Sequence, residues 1–121
     1  MRITEFGRIV RKSRLHIGVS LKEMADTLEV SSAFLSGLET GRKKIPSTWT
    51  ENISKYFNDH GLDIGDQLAK YADISNESVD IKDLPFSHQL LISGFAKSNF
   101  TQKELEEIAG LMERLNNQKE K

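Results

Sequence analysis

An all-α fold is what this chain predicts, and three features predict it. Apolar residues recur at three- and four-residue spacing along most of its 121 residues. Serine or threonine stands three residues ahead of glutamate at Ser20/Glu23, Thr48/Glu51 and Thr101/Glu104. At that spacing a hydroxyl and a carboxylate can close a helix N-terminus reciprocally. Only two prolines, Pro46 and Pro85, interrupt helix formation. One run has a period of two: Val79 and Ile81 alternate with Ser78, Asp80 and Lys82, which allows a single short strand near 78–82.

The elements follow in order. Thr4 caps a first helix to about His16, with Phe6, Ile9 and Val10 as its apolar stripe and Gly18 at its end. Ser20 opens a second helix to about Leu28, in which Leu21, Met24, Ala25 and Leu28 share a face. Ser31 caps a third, about Ser32 to Thr40, with Val30 and Leu35 spaced for a hydrophobic staple and Gly41 as the stop. A fourth starts between Pro46 and Thr48 and buries Trp49, Ile53, Tyr56 and Phe57 before Gly61. A fifth, about Asp63 to Ala72, buries Ile64, Leu68 and Tyr71. Residues 73–84 are polar and acidic and read as a linker. A sixth helix is expected from about Ser87 to Lys97, and a last one from Thr101 to about Asn116, with 117–121 frayed. The expected division is a five-helix domain over 1–72, then a linker and small helical segment over 73–121.

Hydrophobic residues make up 37% and charged residues 29%, the balance of a soluble helical protein. There is no cysteine, which excludes disulfides and thiolate metal sites and fits a reducing cytosol. No run reaches the roughly 20 apolar residues of a membrane span. The N-terminus lacks the apolar core of a signal peptide. A cytoplasmic location with no membrane partner is therefore expected. The net charge of −1 hides an asymmetry: residues 1–60 hold ten Lys/Arg against seven Asp/Glu, and 61–121 hold seven against eleven. A mildly basic front and an acidic back suggest two tasks.

The informative constellation is residues 20–40, two short helices joined by a tight turn, which is helix-turn-helix spacing. Ala25 supplies the small residue that a steep crossing needs, and Leu28, Val30, Leu35 and Leu38 supply the shared core. The run LKEMADTLEVSSAFLSGLETGRKKIP, residues 21–46, resembles the Cro/CI-type helix-turn-helix regulators of the XRE family. Phe6 to Arg11 extends the likeness backward, and it runs forward to about Ala72. What the resemblance implies is a lambda-repressor-like five-helix domain that places its third helix in the major groove of double-stranded DNA.

On that resemblance the base-reading positions are Ser32, Ala33, Ser36 and Gly37, with Phe34 offering an apolar contact to a thymine methyl. Ser20, Leu21 and Lys22 would hold one phosphate at the start of the second helix. Arg42, Lys43, Lys44, Ser47 and Thr48 would hold another on the far side. An ion pair between Arg14 and Glu39 would tie the first helix to the end of the third. Two positions depart from the family pattern. Leu21 replaces a common glutamine, and Glu29 stands where the turn usually has glycine, which costs stability if that position needs positive φ. Serine and alanine cannot make bidentate base contacts, so modest specificity per half-site is expected, supplemented by DNA shape and by pairing of half-sites.

Plainer readings account for the remaining residues. The spacing of Trp49, Tyr56 and Phe57 describes a buried helix face rather than a base-stacking platform. His16, His60 and His88 lack neighbours at ligand spacing, so no metal and no cofactor are assigned. Glu106-Glu107 lies on a solvated face, and no nucleophile–base arrangement can be drawn, so no catalytic residue is assigned. The apolar face of the last helix, Leu105, Ile108, Leu111, Met112 and Leu115, could fold back on the N-terminal core or pair with a second copy. With Leu90, Leu91 and Phe95 it suits a homodimer, which is the expectation. The expected function is a dimeric, sequence-specific DNA-binding transcriptional regulator, a repressor on a palindromic operator. The alternative is an antitoxin whose acidic half binds a basic toxin and which represses its own operon.

Overall fold

The computed structural model describes residues 3–119. Among them lie seven helices and no strand: α1 Glu5–Ile17, α2 Leu21–Thr27, α3 Ser32–Glu39, α4 Ser47–Asp59, α5 Gly65–Asn76, α6 Phe86–Lys97 and α7 Gln102–Lys119. No helix is long and apolar enough to cross a membrane. The chain divides into two compact units, Met1–Val79 and Asp80–Lys121.

In the first unit the helix ends follow local chemistry. The Thr4 hydroxyl accepts from the Gly7 N–H, and Gly18 closes α1 in the left-handed conformation at φ 73°. Ser20 and Glu23 complete a reciprocal capping box on α2. Ser31 caps α3 by accepting from the Phe34 N–H at 3.0 Å. α1 packs on α3 and α5, α2 on α3, and α4 on α5. Between them Phe6, Val10, Met24, Ala25, Leu35, Leu38, Ile45, Ile53, Tyr56, Phe57, Leu68 and Ala72 form one buried cluster. Burial on this scale is the main source of stability, at about 1.5–3 kcal/mol for each large apolar side chain.

The tightest joint is between α1 and the end of α3. The Thr4 N–H and hydroxyl both donate to the Glu39 carbonyl, at 3.1 and 2.8 Å. A Cβ on Gly7 would overlap that same carbonyl oxygen, so only glycine lets the two backbones approach.

Several sequence expectations need correction. Thr48 does not cap α4. The helix begins two residues earlier, after Pro46, whose φ of −63° suits a helix start, and no side chain caps it. α5 starts later than expected and runs on to Asn76, so the unit boundary lies after Val79 rather than after Ala72. Trp49, Ile64 and Tyr71 are half-buried rather than buried. The segment 78–82 forms no strand. The Asp80 carboxylate accepts from the Lys82 N–H at 3.0 Å and Leu84 closes a turn onto the Ile81 carbonyl, so local bonds take the place of a sheet partner. α7 continues through 117–119, where fraying was expected; residues 120–121 lie outside the described residues.

The second unit has the same local grammar. Thr101 and Glu104 form a reciprocal capping box at 2.9 and 3.2 Å. Phe95 and Phe100 bring their rings to 5.6 Å across the α6–α7 link. Neither helix, however, contains a buried residue.

Candidate nucleic-acid interface

α2 and α3 are joined by residues 28–31, and the turn is built on a positive φ. Glu29 sits at φ 60°, its N–H donates to the Asp26 carbonyl at 3.2 Å, and the Val30 N–H then reaches the Ala25 carbonyl at 3.0 Å. The left-handed conformation costs a residue with a Cβ about 1–2 kcal/mol. Val30 and Leu35 meet the staple spacing on either side of the cap, and Leu35 and Leu38 carry the inner face of α3 into the core.

The orientation of α3 is fixed from beneath by charge. Both terminal guanidinium nitrogens of Arg14, Nη1 and Nη2, donate to the Glu39 carboxylate, at 2.6 and 3.2 Å, and Arg11 adds a third bond at 3.2 Å. Arg14 and Glu39 are only 7% and 2% exposed, so water cannot replace either partner. Arg11 was not singled out from the sequence, although its place three residues before Arg14 puts both on one side of α1.

The outer side of α3 carries Ala33, which is exposed, and Ser32 and Ser36, which are half-buried. Two of the expected base-reading residues are otherwise engaged. Gly37 is buried, and a Cβ there would meet the Lys43 side chain at 3.0 Å. Phe34 packs its ring 5.0 Å from Trp49, which removes it from the outer surface as a free apolar contact. Ser32, Ala33 and Ser36 therefore make up the accessible part of the expected reading surface.

Arg42, Lys43 and Lys44 border it, all exposed. Arg42 donates to the Ala33 carbonyl at 3.3 Å, and the Lys43 ammonium lies 6.0 Å from the Phe34 ring centre. Lys44 donates to the Asn76 carbonyl at 2.6 Å. The loop is thus laid along α3 rather than projecting from it. Arg42 and Lys43 follow α3 while Lys44 turns to the end of α5, and the two that follow α3 concentrate positive potential on its outer edge.

The two helix N-termini expected to hold phosphate differ in kind. At α2 the Ser20 N–H donates to Glu23 at 3.0 Å and the Ser20 hydroxyl accepts from the Glu23 N–H, while Lys22 is paired with Asp26 at 3.1 Å. That end is already occupied by the chain's own carboxylate, which opposes a second anion at Ser20 and Leu21. At α4 no side chain caps the helix, no acid sits in its first turn, and Ser47 and Thr48 are exposed. An open helix N-terminus beside three cations favours an anion.

No group of three or more His, Asp or Glu able to hold a metal occurs among the described residues. An open groove of about 570 Å³ between α1 and α5 is lined by Ile9, Leu15, Leu62, Ile64 and Tyr71 among others, and includes none of the candidate interface residues. Burial, with Glu23 nearby, pushes the Tyr56 hydroxyl above its ordinary value, and its ring meets Phe57 edge-to-face in the core. In the second unit Leu90, Leu91, Phe95, Leu111, Met112 and Leu115 are all exposed, Leu91 to 77%, while Leu105 and Ile108 are half-buried. Phe86 and Phe100, not singled out from the sequence, are exposed as well.

No protein-family model matches the chain, and neither a curated protein nor a solved structure was found to be similar to it.

Proposed function

We propose that this chain is a sequence-specific regulator that binds double-stranded DNA, with its first five helices arranged as in the lambda-repressor-like, Cro/CI-type domains. One observation carries the reading. The outward side chains of α3, Ser32, Ala33 and Ser36, are bordered by the Arg42–Lys44 loop, and the open, acid-free start of α4 follows directly. Short polar side chains on a supported helix suit base edges, and a cationic border suits the phosphates on either side of a groove. Phosphate contact is assigned to Arg42, Lys43, Ser47 and Thr48 in the first place. Lys44 retains two donors beyond its bond to Asn76.

The exposed apolar residues of α6 and α7 support pairing of two copies, and a pair would present two reading helices to a palindromic operator. Repression follows if that operator overlaps a promoter. The same apolar residues would also serve an antitoxin. An acidic surplus favouring a basic toxin, however, lies within 61–79, which holds one lysine against four acids. Asp80–Lys121 itself carries six Lys/Arg against seven Asp/Glu, so its near-neutral surface favours a second copy.

The test is selection of duplexes from a random pool, followed by anisotropy titrations of the winning sequence over a range of salt. The selected site should be two-fold symmetric, and affinity for it should fall steeply with salt. Arg42→Ala and Lys43→Ala should each lower the salt slope by about one while leaving base preference alone. Ser32→Ala and Ser36→Ala should blur one or two positions of the site. Failure to enrich any sequence, together with salt-independent affinity, would defeat the reading.

A further inference from the structure

The cationic loop is fastened at one end by a residue outside the helix-turn-helix. Asn76, the last residue of α5, uses both halves of its amide on one residue of the loop. Its Oδ1 accepts from the Ile45 N–H at 2.8 Å, and its Nδ2 donates to the Ile45 carbonyl at 2.9 Å. The Lys44 ammonium meanwhile donates to the Asn76 carbonyl at 2.6 Å, placing a cation on the C-terminal end of α5. Ile45 itself is 3% exposed and belongs to the core cluster. Two residues earlier the Lys43 N–H donates to the Gly37 carbonyl at 3.1 Å. At the other end of the loop, a Cβ on Gly41 would lie 3.0 Å from the Thr4 methyl and 3.7 Å from the Ser75 hydroxyl. The segment 41–45 is therefore held between α3 on one side and the last turn of α5 on the other.

We propose that Asn76 is a positioning residue for DNA binding: by pairing with both backbone groups of Ile45 it fixes where Arg42 and Lys43 present their charge. This rests on the functional reading above and adds to it a residue that does not touch DNA. The chemistry is specific to asparagine. A side-chain amide offers a donor and an acceptor together, whereas aspartate offers only acceptors and would set a carboxylate against the Ile45 carbonyl. A loop ordered before binding loses less conformational freedom when it meets phosphate, so its fixation appears as affinity.

The experiment uses the full chain and the duplex chosen by the wild type. Asn76→Ala and Asn76→Asp are compared with Leu62→Ala, which alters the α1–α5 groove instead. Three quantities are read: thermal midpoint, amide exchange at Ile45 and Lys43 in the free protein, and affinity against salt. The Asn76 variants should remain helical and exchange faster at both amides. They should bind on the order of tenfold more weakly, with a salt slope lower by about one, the mark of a lost phosphate contact. Leu62→Ala should lower the midpoint without changing the slope. Wild-type affinity and slope in the Asn76 variants, despite faster exchange at Ile45, would overturn the proposal. So would an equal loss of affinity in Leu62→Ala, because binding would then simply follow stability. A wild-type chain that binds no duplex defeats the functional reading itself, which is a separate result.

Discussion

The two units of this chain use the same helix-starting chemistry and reach opposite outcomes. Ser20 and Glu23 close a capping box in the first unit, and Thr101 and Glu104 close an equivalent one in the second. Both units contain amphipathic helices of ordinary length. Yet every buried residue of the cluster belongs to the first, and α6 and α7 have none. A cap and an apolar stripe specify that a helix forms and which side avoids water. They do not specify what covers that side, because the partner is a property of the fold or of a second molecule. A helix of 12 or 18 residues gains little stability alone, so the second unit's helices need apolar cover that neither contains.

The largest effect should come from the buried ion pair between Arg14 and Glu39. Glu39→Ala strands the Arg14 guanidinium, 7% exposed, leaving it the weak acceptor Met24 sulfur at 3.8 Å. Leaving a buried charge without its partner costs about 3–5 kcal/mol. Chemical denaturation should show that loss, with little change in the denaturant slope. Arg14→Ala should cost less, because Arg11 still reaches Glu39 at 3.2 Å. Equal losses from the two substitutions would mean that the carboxylate does not organise the cluster.

The second unit should respond in the opposite manner. Leu111→Ser and Leu115→Ser replace exposed apolar side chains. They should change the stability of an isolated chain by less than about 0.5 kcal/mol. In sedimentation, the wild type should be a dimer and the double variant a monomer. A wild type that stays monomeric at high concentration would show that these residues serve some purpose other than self-association.

A smaller effect is expected at the turn between α2 and α3. Glu29 holds φ 60°, so Glu29→Gly should stabilise the first unit by about 1 kcal/mol, visible as a rise in thermal midpoint. No rise would indicate that flexibility gained by the unfolded chain cancels the relief of strain.

What was legible in the sequence follows the same division. α1, α2 and α3 could be placed within a residue or two because each combines a capping side chain with a clear stripe. The pairing of Arg14 with Glu39 could be named only through a family resemblance, since nothing in the spacing of residues 25 apart brings them together. The extension of α5 to Asn76 was not legible, because Asp73, Ser75 and Asn76 have the composition of a loop. Helix there is completed by Asn76 bonding to Ile45, a contact 31 residues away in sequence. The family resemblance puts Gly37 on the reading surface and an apolar contact to thymine puts Phe34 there, and only packing shows that Lys43 and Trp49 cover them. The apparent strand at 78–82 had the right alternation and no partner to bond with.

The smallest effect lies at the start of α7, where pH separates a cap from a core. The Thr101 N–H donates to the Glu104 carboxylate at 2.9 Å, and this bond, with that to the Thr101 hydroxyl, holds the carboxyl below its ordinary value. A carboxylate whose folded-state value is depressed adds stability that is fully present above the unfolded value. That contribution is lost as pH falls through the folded one. Helicity of α7 should therefore be flat through neutral pH and decline only in acid, below the usual carboxylate range. Amide exchange in the first turn of α7, followed against pH, should show the decline. Glu104→Gln keeps an acceptor for the Thr101 N–H without a titrating group, and should remove the acid limb contributed by this site. Because Glu104 is fully exposed, salt and water screen the bond and the change should stay confined to that first turn. An acid transition that spreads to all of α7, or one that persists unchanged in Glu104→Gln, would place its origin in association of the apolar faces rather than in the cap.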